Sequence, residues 1–315
     1  MMKVSEDVLS LIGDTPLVRI KKLARGITSE LYAKLEFYNP SGSFKDRVAK
    51  YIIDDAEARG LIKPGDLIVE ATSGNMGVAF ALVGAVRDYR CIFTLPETIS
   101  KEKILAIKLF GAEVVLTPRG LPPSDESSCY KVAQRIAREK GGFYVNQYFN
   151  TLNPEAHYKT TGPEIWRDTE GKVDAVVCGI GTGGTITGIG RYLKEMNKGV
   201  RVIGVEPRGS VFKDYLEKGT LVEGSEFNIE GIGKNFIPGV IDFNYIDDVI
   251  QVYEDEALKM VEALVKREGI LAGDSSGAVM AGAIEYARAC GGNERIVVIL
   301  PDSGLKYLSK FMAFA

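Results

Sequence analysis

Through most of the chain, apolar runs of strand length alternate with segments of helical period, and that alternation leaves few folds open. Residues 67–70, 91–95, 113–116 and 143–145 read as strands, with helices predicted at 76–86, 101–110 and 125–139 between them. A second block repeats the scheme, with strands at 175–178, 201–205, 249–253 and 296–300 and helices at 155–167, 186–196, 255–267 and 277–289. The strands lack a polar face, which marks sheets covered on both sides and hence parallel strands joined by helical crossovers. Two such blocks in 315 residues predict an α/β protein of two open-sheet domains with mainly parallel strands. A short helix at 8–12 and strands at 17–20 and 31–35 come first. Residues 206–247 read as irregular and Gly-rich, too long for a simple connection, which points to a functional segment.

Composition excludes several classes. Lys plus Arg number 39 and Asp plus Glu 42, a net charge of −3, so no nucleic acid or anionic membrane is expected as a partner. No apolar run reaches the ~18 residues of a membrane span. The first residues carry acids where an export signal has its apolar core, so a cytoplasmic protein is expected. Cys91, Cys129, Cys178 and Cys290 lie far apart without zinc spacing, which predicts reduced thiols and no metal site. The only histidine is His157, so a Ser-His-Asp triad would have to be built around it; a structural role is expected instead. Its neighbour Tyr158 is expected in the core.

In open α/β sheets ligands bind beyond the carboxyl ends of the strands, so the loops there carry the chemistry. Residues 40–47, PSGSFKDR, lead into a helix whose apolar spacing runs Phe44, Val48, Ile52, Ala56. Ser43 and Asp46 have capping-box spacing, which places Lys45 in the first helical turn. The positive end of the macrodipole there eases loss of its proton, and Schiff-base chemistry needs the neutral amine. The competing reading is a surface lysine on a capped helix.

Three strand-to-helix loops are rich in glycine and hydroxyl residues. ATSGNMG, residues 71–77, sets Thr72, Ser73 and Asn75 before a helix, suited to an anion such as a carboxylate; ordinary capping accounts for only one of the three. In GIGTGGT, residues 179–185, Gly179, Gly181 and Gly184 match G-x-G-x-x-G, and Glu206 lies where a dinucleotide site places its ribose-binding acid. A nicotinamide oxidoreductase therefore competes, although Thr182, Gly183 and Thr185 make a tighter cup for a terminal phosphate. AGDSSGA, residues 272–278, offers Ser275 and Ser276 as caps or ligand contacts. A catalytically silent phosphate-ligand- or partner-binding module is the third reading.

PSGSFKDR, TSGNMG, GTGGT, EGIGKNFIP and LPDSG, in this order and near this spacing, resemble the cysteine synthase and cystathionine β-synthase family, pyridoxal-phosphate enzymes of the tryptophan-synthase-β fold group. The resemblance covers nearly the whole chain. It implies a fold type II enzyme with pyridoxal 5'-phosphate in the interdomain cleft, and a homodimer. A smaller domain, 1–12 and 36–148, would close on the substrate with the 72–77 loop as trigger. A larger domain, 13–35 and 149–315, would bind the cofactor. Lys45 would bond the cofactor and serve as acid and base, so no histidine is required. Gly181, Thr182, Gly183, Gly184 and Thr185 would hold the phosphate. Asn75 would contact the ring hydroxyl and Ser275 the pyridine nitrogen. Thr72, Ser73, Met76, Gln147 and Gly231 would bind the substrate. The implied reaction turns an O-activated serine, O-acetylserine or O-phosphoserine, into an aminoacrylate that sulfide converts to L-cysteine; cystathionine β-synthase chemistry with homocysteine is the close alternative.

Some residues depart from the family pattern. Met76 stands where TSGNTG has threonine, so a hydroxyl contact is lost while a backbone contact survives. Lys234 stands where cystathionine β-synthases tend to have tyrosine and acetylserine-using synthases a small residue. It would attract a phosphate or carboxylate, or else be a solvated surface lysine. Diaminopropionate synthases share the opening YAKLEFYNPSGSFKDR but alter the GTGGT loop. With the chain ending soon after LPDSG, neither an appended regulatory domain nor a haem-binding extension is expected.

Overall fold

The computed structural model describes residues 4–312; residues 1–3 of the expected N-terminal segment and residues 313–315 lie outside it. After a 3₁₀ turn at Val8–Leu11 come β1 (Leu17–Arg19) and β2 (Glu30–Leu35). The first block is α1 (Lys45–Ala58), β3 (Leu67–Ala71), α2 (Asn75–Arg87), β4 (Arg90–Pro96), α3 (Lys101–Leu109), β5 (Glu113–Thr117), α4 (Cys129–Lys140) and β6 (Phe143–Tyr144). The second is α5 (Leu152–Lys159), α6 (Thr161–Asp168), β7 (Ala175–Gly179), α7 (Gly184–Met196), β8 (Arg201–Pro207), α8 (Phe212–Lys218), β9 (Asp248–Val252), α9 (Glu254–Ala263), α10 (Asp274–Ala289), β10 (Arg295–Leu300) and α11 (Leu308–Phe311).

The strands form two sheets. One has four strands in the order β5-β4-β3-β6, all parallel. The other has six in the order β1-β2-β10-β7-β8-β9, parallel except for β1 against β2. In β7, Ala175 and Val177 pack into the core under α10, while Val176 and Cys178 pack into the core under α7. Burial on both faces is why these strands show no alternation in sequence. In the smaller sheet the chain runs outward from β3 to β4 and β5, then returns to β3's other side with β6. The larger sheet reverses likewise at β7, which lies between β8 and β10. Crevices form at such reversals, beyond the carboxyl ends of the strands. The loops there are TSGN after β3 and GTGG after β7.

Several expectations are corrected. The helix predicted at 125–139 begins only at Cys129, where the Ser128 side chain accepts from Lys131 N; residues 122–125 form a turn instead. The single helix predicted at 155–167 is two, because Pro163 has no N–H to offer the Lys159 carbonyl. The stretch 206–247 contains α8, and α9 ends in a wider π-turn at Leu264–Glu268. The Ser43–Asp46 capping box does not form. Asp46 accepts from the Ser41 backbone N–H at 2.6 Å and from the Ser41 hydroxyl, while Ser43 bridges to Asp302. Tyr158 is not in the core: it is half-buried, and its hydroxyl donates to Glu195 on the surface.

Candidate active site

The loops at both reversals face one small cavity of about 40 Å³. Lys45, Thr72, Ser73, Asn75, Met76, Gln147, Gly181, Thr182, Gly183, Thr185, Gly231 and Ser275, all singled out from sequence, line it. Gly184 stands behind the lining, against Asn153.

Lys45 opens α1 and is 8% exposed, with its Nζ 4.6 Å from the centre of the Phe44 ring. Among the described residues no carboxylate pairs with it. Burial brings its pKa down to about 8; the Lys234 charge pushes the same way, and Glu70 opposes it. The proton is thus labile as expected, with burial as the main cause.

Three helices that begin at the cavity have glycine at the N-cap. The N-caps of α2, α7 and α10 are Gly74, Gly183 and Gly273, and no side chain caps them. Surface helix α4 is capped by Ser128 in the ordinary way. First-turn N–H groups left open beside a cavity form an anion site. This removes ordinary capping as the explanation for TSGN: Thr72 Oγ1 accepts from Gly74 N at 3.0 Å, shaping the turn and leaving the helix end open.

The GTGG loop is built for close approach. A Cβ on Gly181 would collide with the Gly231 carbonyl, and one on Gly184 with the Asn153 carboxamide. Fully buried Asn153 donates to Thr182 Oγ1 at 3.1 Å and to the Gln147 carbonyl at 2.9 Å. His157, also fully buried, bridges Thr161 Oγ1 at 2.9 Å and Thr185 Oγ1 at 3.1 Å. Burial holds the imidazole pKa well below its ordinary value, with Lys45 and Arg47 adding to the effect. A neutral imidazole orienting a loop hydroxyl is the structural role expected of His157.

Gln147 Nε2 donates to the Ala71 carbonyl at 2.9 Å, and Gln147 N to Glu70 Oε1 at 3.4 Å. Glu70 is fully buried; burial raises its pKa to about 8 against hydrogen bonds from Gln147 and Asn146. Its Oε2 has no partner among the described residues. Lys234 is half-buried at the cavity rim, 5.2 Å from the centre of the Tyr148 ring, and burial lowers its pKa. The solvated-surface reading of Lys234 is therefore overturned. Beyond it an open groove of about 500 Å³ continues past Gly231, Arg119, Tyr130 and Phe227.

Glu206 settles the competing dinucleotide motif. It is fully buried and turned away from the GTGG loop, accepting from Phe212 N at 2.9 Å, Lys213 N at 3.0 Å and Gln251 Nε2 at 3.0 Å. It caps the start of α8, so it is not free for a ribose. Glu70, Asn153, Lys306 and Asp302 were not assigned site roles from sequence. Asp302 belongs to the LPDSG motif, which pointed to its neighbourhood; the others sit in no motif.

Comparison with known proteins agrees with the geometry. The family described as pyridoxal-phosphate dependent enzyme matches residues 8–302. Cystathionine beta-synthase of Apis mellifera is 43% identical over 314 residues, 99% of this chain and 62% of that protein. The chain thus spans less than two thirds of the length of that relative. Cysteine synthase of Staphylococcus aureus strain Mu50 is 40% identical over 308 residues, 98% of this chain and 96% of that one. The crystal structure of an O-ureido-L-serine synthase superposes with a TM-score of 0.90 at 39% identity, covering 98% of this chain and 95% of that one.

Proposed function

The chain belongs to the pyridoxal-phosphate-dependent enzyme family, and on that premise we propose that it catalyses β-replacement on an O-activated serine, with sulfide as nucleophile and L-cysteine as product. The observation that carries this reading is Lys45: a buried, unpaired lysine with a lowered pKa at the wall of the cavity where both sheet-reversal loops meet. The residues fit the cofactor. The GTGG glycines let the loop pack directly on the Gly231 carbonyl, Ile241 and Asn153, where no Cβ would fit, and the glycine-capped end of α7 supplies amides for a phosphate. Bound there, pyridoxal 5'-phosphate supplies an electron sink that acidifies the substrate's α-carbon and lets a β-substituent leave.

The chain's own residues do the rest. Gly181, Thr182, Gly183, Gly184 and Thr185 hold the phosphate, with Asn153 and His157 fixing the two threonine hydroxyls. Asn75 meets the ring hydroxyl, and Ser275 offers a neutral hydroxyl near the ring nitrogen. The N–H groups of Thr72, Ser73 and Met76, with Gln147, bind the substrate carboxylate at the open end of α2. Gly231 leaves space for the substrate, since no atom lies within 4 Å of where its Cβ would stand. Lys45 Nζ, partly neutral near pH 8, takes the α-proton and returns it to the product.

A second reading replaces sulfide with an amino-acid thiol such as homocysteine. The groove beyond Lys234, about 500 Å³ and flanked by Arg119, is far larger than sulfide needs. Assays of O-acetylserine, O-phosphoserine and serine against sulfide and homocysteine separate the two. Activity with O-acetylserine or O-phosphoserine and sulfide is expected, and cystathionine formation alone would favour the second reading. Lys234→Ala is expected to raise KM for O-phosphoserine about tenfold, a charge-assisted contact being worth roughly 1.5–3 kcal/mol, and to leave O-acetylserine nearly unaffected. Equal effects on both substrates would count against a phosphate contact.

The domain division at 1–12 with 36–148 and 13–35 with 149–315 is supported by the four- and six-stranded sheets. A homodimer follows the family resemblance; exposed Leu105 and Leu109 on α3, with Leu308 and Met312 on the neighbouring C-terminal segment, offer it an apolar surface. A cytoplasmic location is supported by four unpaired cysteines, and no described helix is long and apolar enough to cross a membrane.

A further inference from the structure

Asn75 is held at both ends of its carboxamide by residues outside the site described above. Lys306 Nζ donates to Asn75 Oδ1 at 3.0 Å, and Asn75 Nδ2 donates to Asp302 Oδ2 at 2.7 Å. The two partners fix which end is which. An ammonium has no acceptor, so it must face the amide oxygen; a carboxylate oxygen accepts, so it must face the amide nitrogen. The NH2 group has two hydrogens, and Asp302 takes one.

The clamp is itself rigidly held. Asp302 is fully buried, and Oδ2 also accepts from the Tyr307 hydroxyl at 2.6 Å. That hydroxyl in turn accepts from Lys103 Nζ at 2.7 Å, and Lys103 pairs with Glu230 at 2.8 Å. Lys103 and Tyr307 are fully buried, and Lys306 is 9% exposed. The chain of contacts reaches from α3 to Glu230, beside Gly231 in the cavity wall. The segment that carries Asp302 is also stitched to the loop before Lys45: Phe44 N donates to the Pro301 carbonyl at 3.0 Å and Ser303 N to the Gly42 carbonyl at 3.1 Å.

We propose that Lys306 is a positioning residue for the cofactor: with Asp302 it locks the Asn75 carboxamide so that the remaining N–H is offered to the ring hydroxyl. This rests on the pyridoxal-phosphate reading above. While protonated, the Lys306 ammonium against the amide oxygen polarises the group and makes that N–H a stronger donor, which favours an ionised ring oxygen. Lys306 acts through Asn75 and does not line the cavity itself.

The test compares the wild-type holoenzyme with Lys306→Met, which keeps the stem and removes the donor, and with Lys306→Arg, which restores one. The readouts are the visible absorption band of the bound cofactor, its dissociation constant and the Tm. Lys306→Met is expected to move or weaken the band and to loosen the cofactor about tenfold, as expected for losing a charged hydrogen bond. Lys306→Arg is expected to recover most of both. If Lys306→Met does not fold, Lys306→Gln is read in its place, with the band expected to change because the charge is gone. A folded Met or Gln variant with unchanged band and affinity would overturn the proposal. So would losses in all variants, Arg included, that track a lowered Tm, since that pattern marks packing alone. A wild-type protein that takes up no cofactor would instead overturn the functional reading, and this inference with it.

Discussion

Lys45→Ala is expected to lower kcat by at least about 10³-fold, because in the proposed mechanism one amine serves as both cofactor anchor and proton carrier. No neighbour replaces it. The only histidine, His157, is hydrogen-bonded to two threonine hydroxyls, and burial holds its pKa well below the ordinary value. Of the other lysines near the cavity, Lys234 stands at its rim and Lys306 is bound to Asn75. The same residue sets a pH dependence. Only the neutral amine attacks an aldehyde, and burial brings the Lys45 pKa to about 8. Uptake of cofactor by protein stripped of it is therefore expected to quicken as pH rises through about 8 and then level off. An ordinary lysine would keep accelerating to about pH 10.4. Stopped-flow absorbance across this range measures it. A profile still rising beyond pH 10, or a Lys45→Ala variant retaining a tenth of wild-type activity, would contradict the assignment.

Arg47→Met is expected to cause the largest loss of stability of any single change near the site. Arg47 lies two residues after Lys45 and is 2% exposed. Its guanidinium meets Glu36 at 2.7 and 2.9 Å and Glu164 at 2.5 and 2.7 Å. Lys34 reaches Glu164 from the other side at 2.9 Å. The arrangement ties α1 to β2's end and to α6. Removing one member of a buried ionic group leaves its partners uncompensated, at a cost of roughly 3–5 kcal/mol. For a chain of this size that lowers Tm by about 5–8 °C in a thermal scan. Burial would raise the Glu164 pKa, but the hydrogen bonds and charge of Arg47, with Lys34, bring it down to about 2. A depressed carboxylate contributes stability above its unfolded pKa of about 4.3 and loses it as pH falls toward the folded value. The gap between wild type and Arg47→Met is therefore expected to be full at pH 7 and to narrow below about pH 4.5. A gap independent of pH, or a Tm change of only a degree or two, would contradict this.

Much of the fold was legible because the strands are buried on both faces and read as apolar runs, as β7 and β10 do. The loops after β3 and β7 were legible because glycine and hydroxyl clusters stand at the carboxyl ends of those strands, where both loops line the cavity. The Lys45 position was read correctly for a partly wrong local reason: the capping box is absent, and burial does most of what the helix end was expected to do. What stayed hidden depends on distant pairs. Arg47 and Glu164 lie 117 positions apart, and Lys306 and Asn75 lie 231 apart. No local period encodes such partners. The α5–α6 break was readable in principle, since Gly162-Pro163 interrupts the helical pattern, but the apolar spacing across it is continuous. Glu206 was misleading because a buried acid that caps a helix has the same sequence position as a ribose ligand.

The central claim, that Lys45 carries the cofactor in a phosphate-binding cavity, is tested most directly by borohydride reduction of the holoprotein followed by proteolysis and mass analysis. The expected result is one peptide bearing the cofactor's mass, with the modification on Lys45. A cofactor mass on Lys234, Lys306 or any other lysine, or on no peptide at all, would contradict the account.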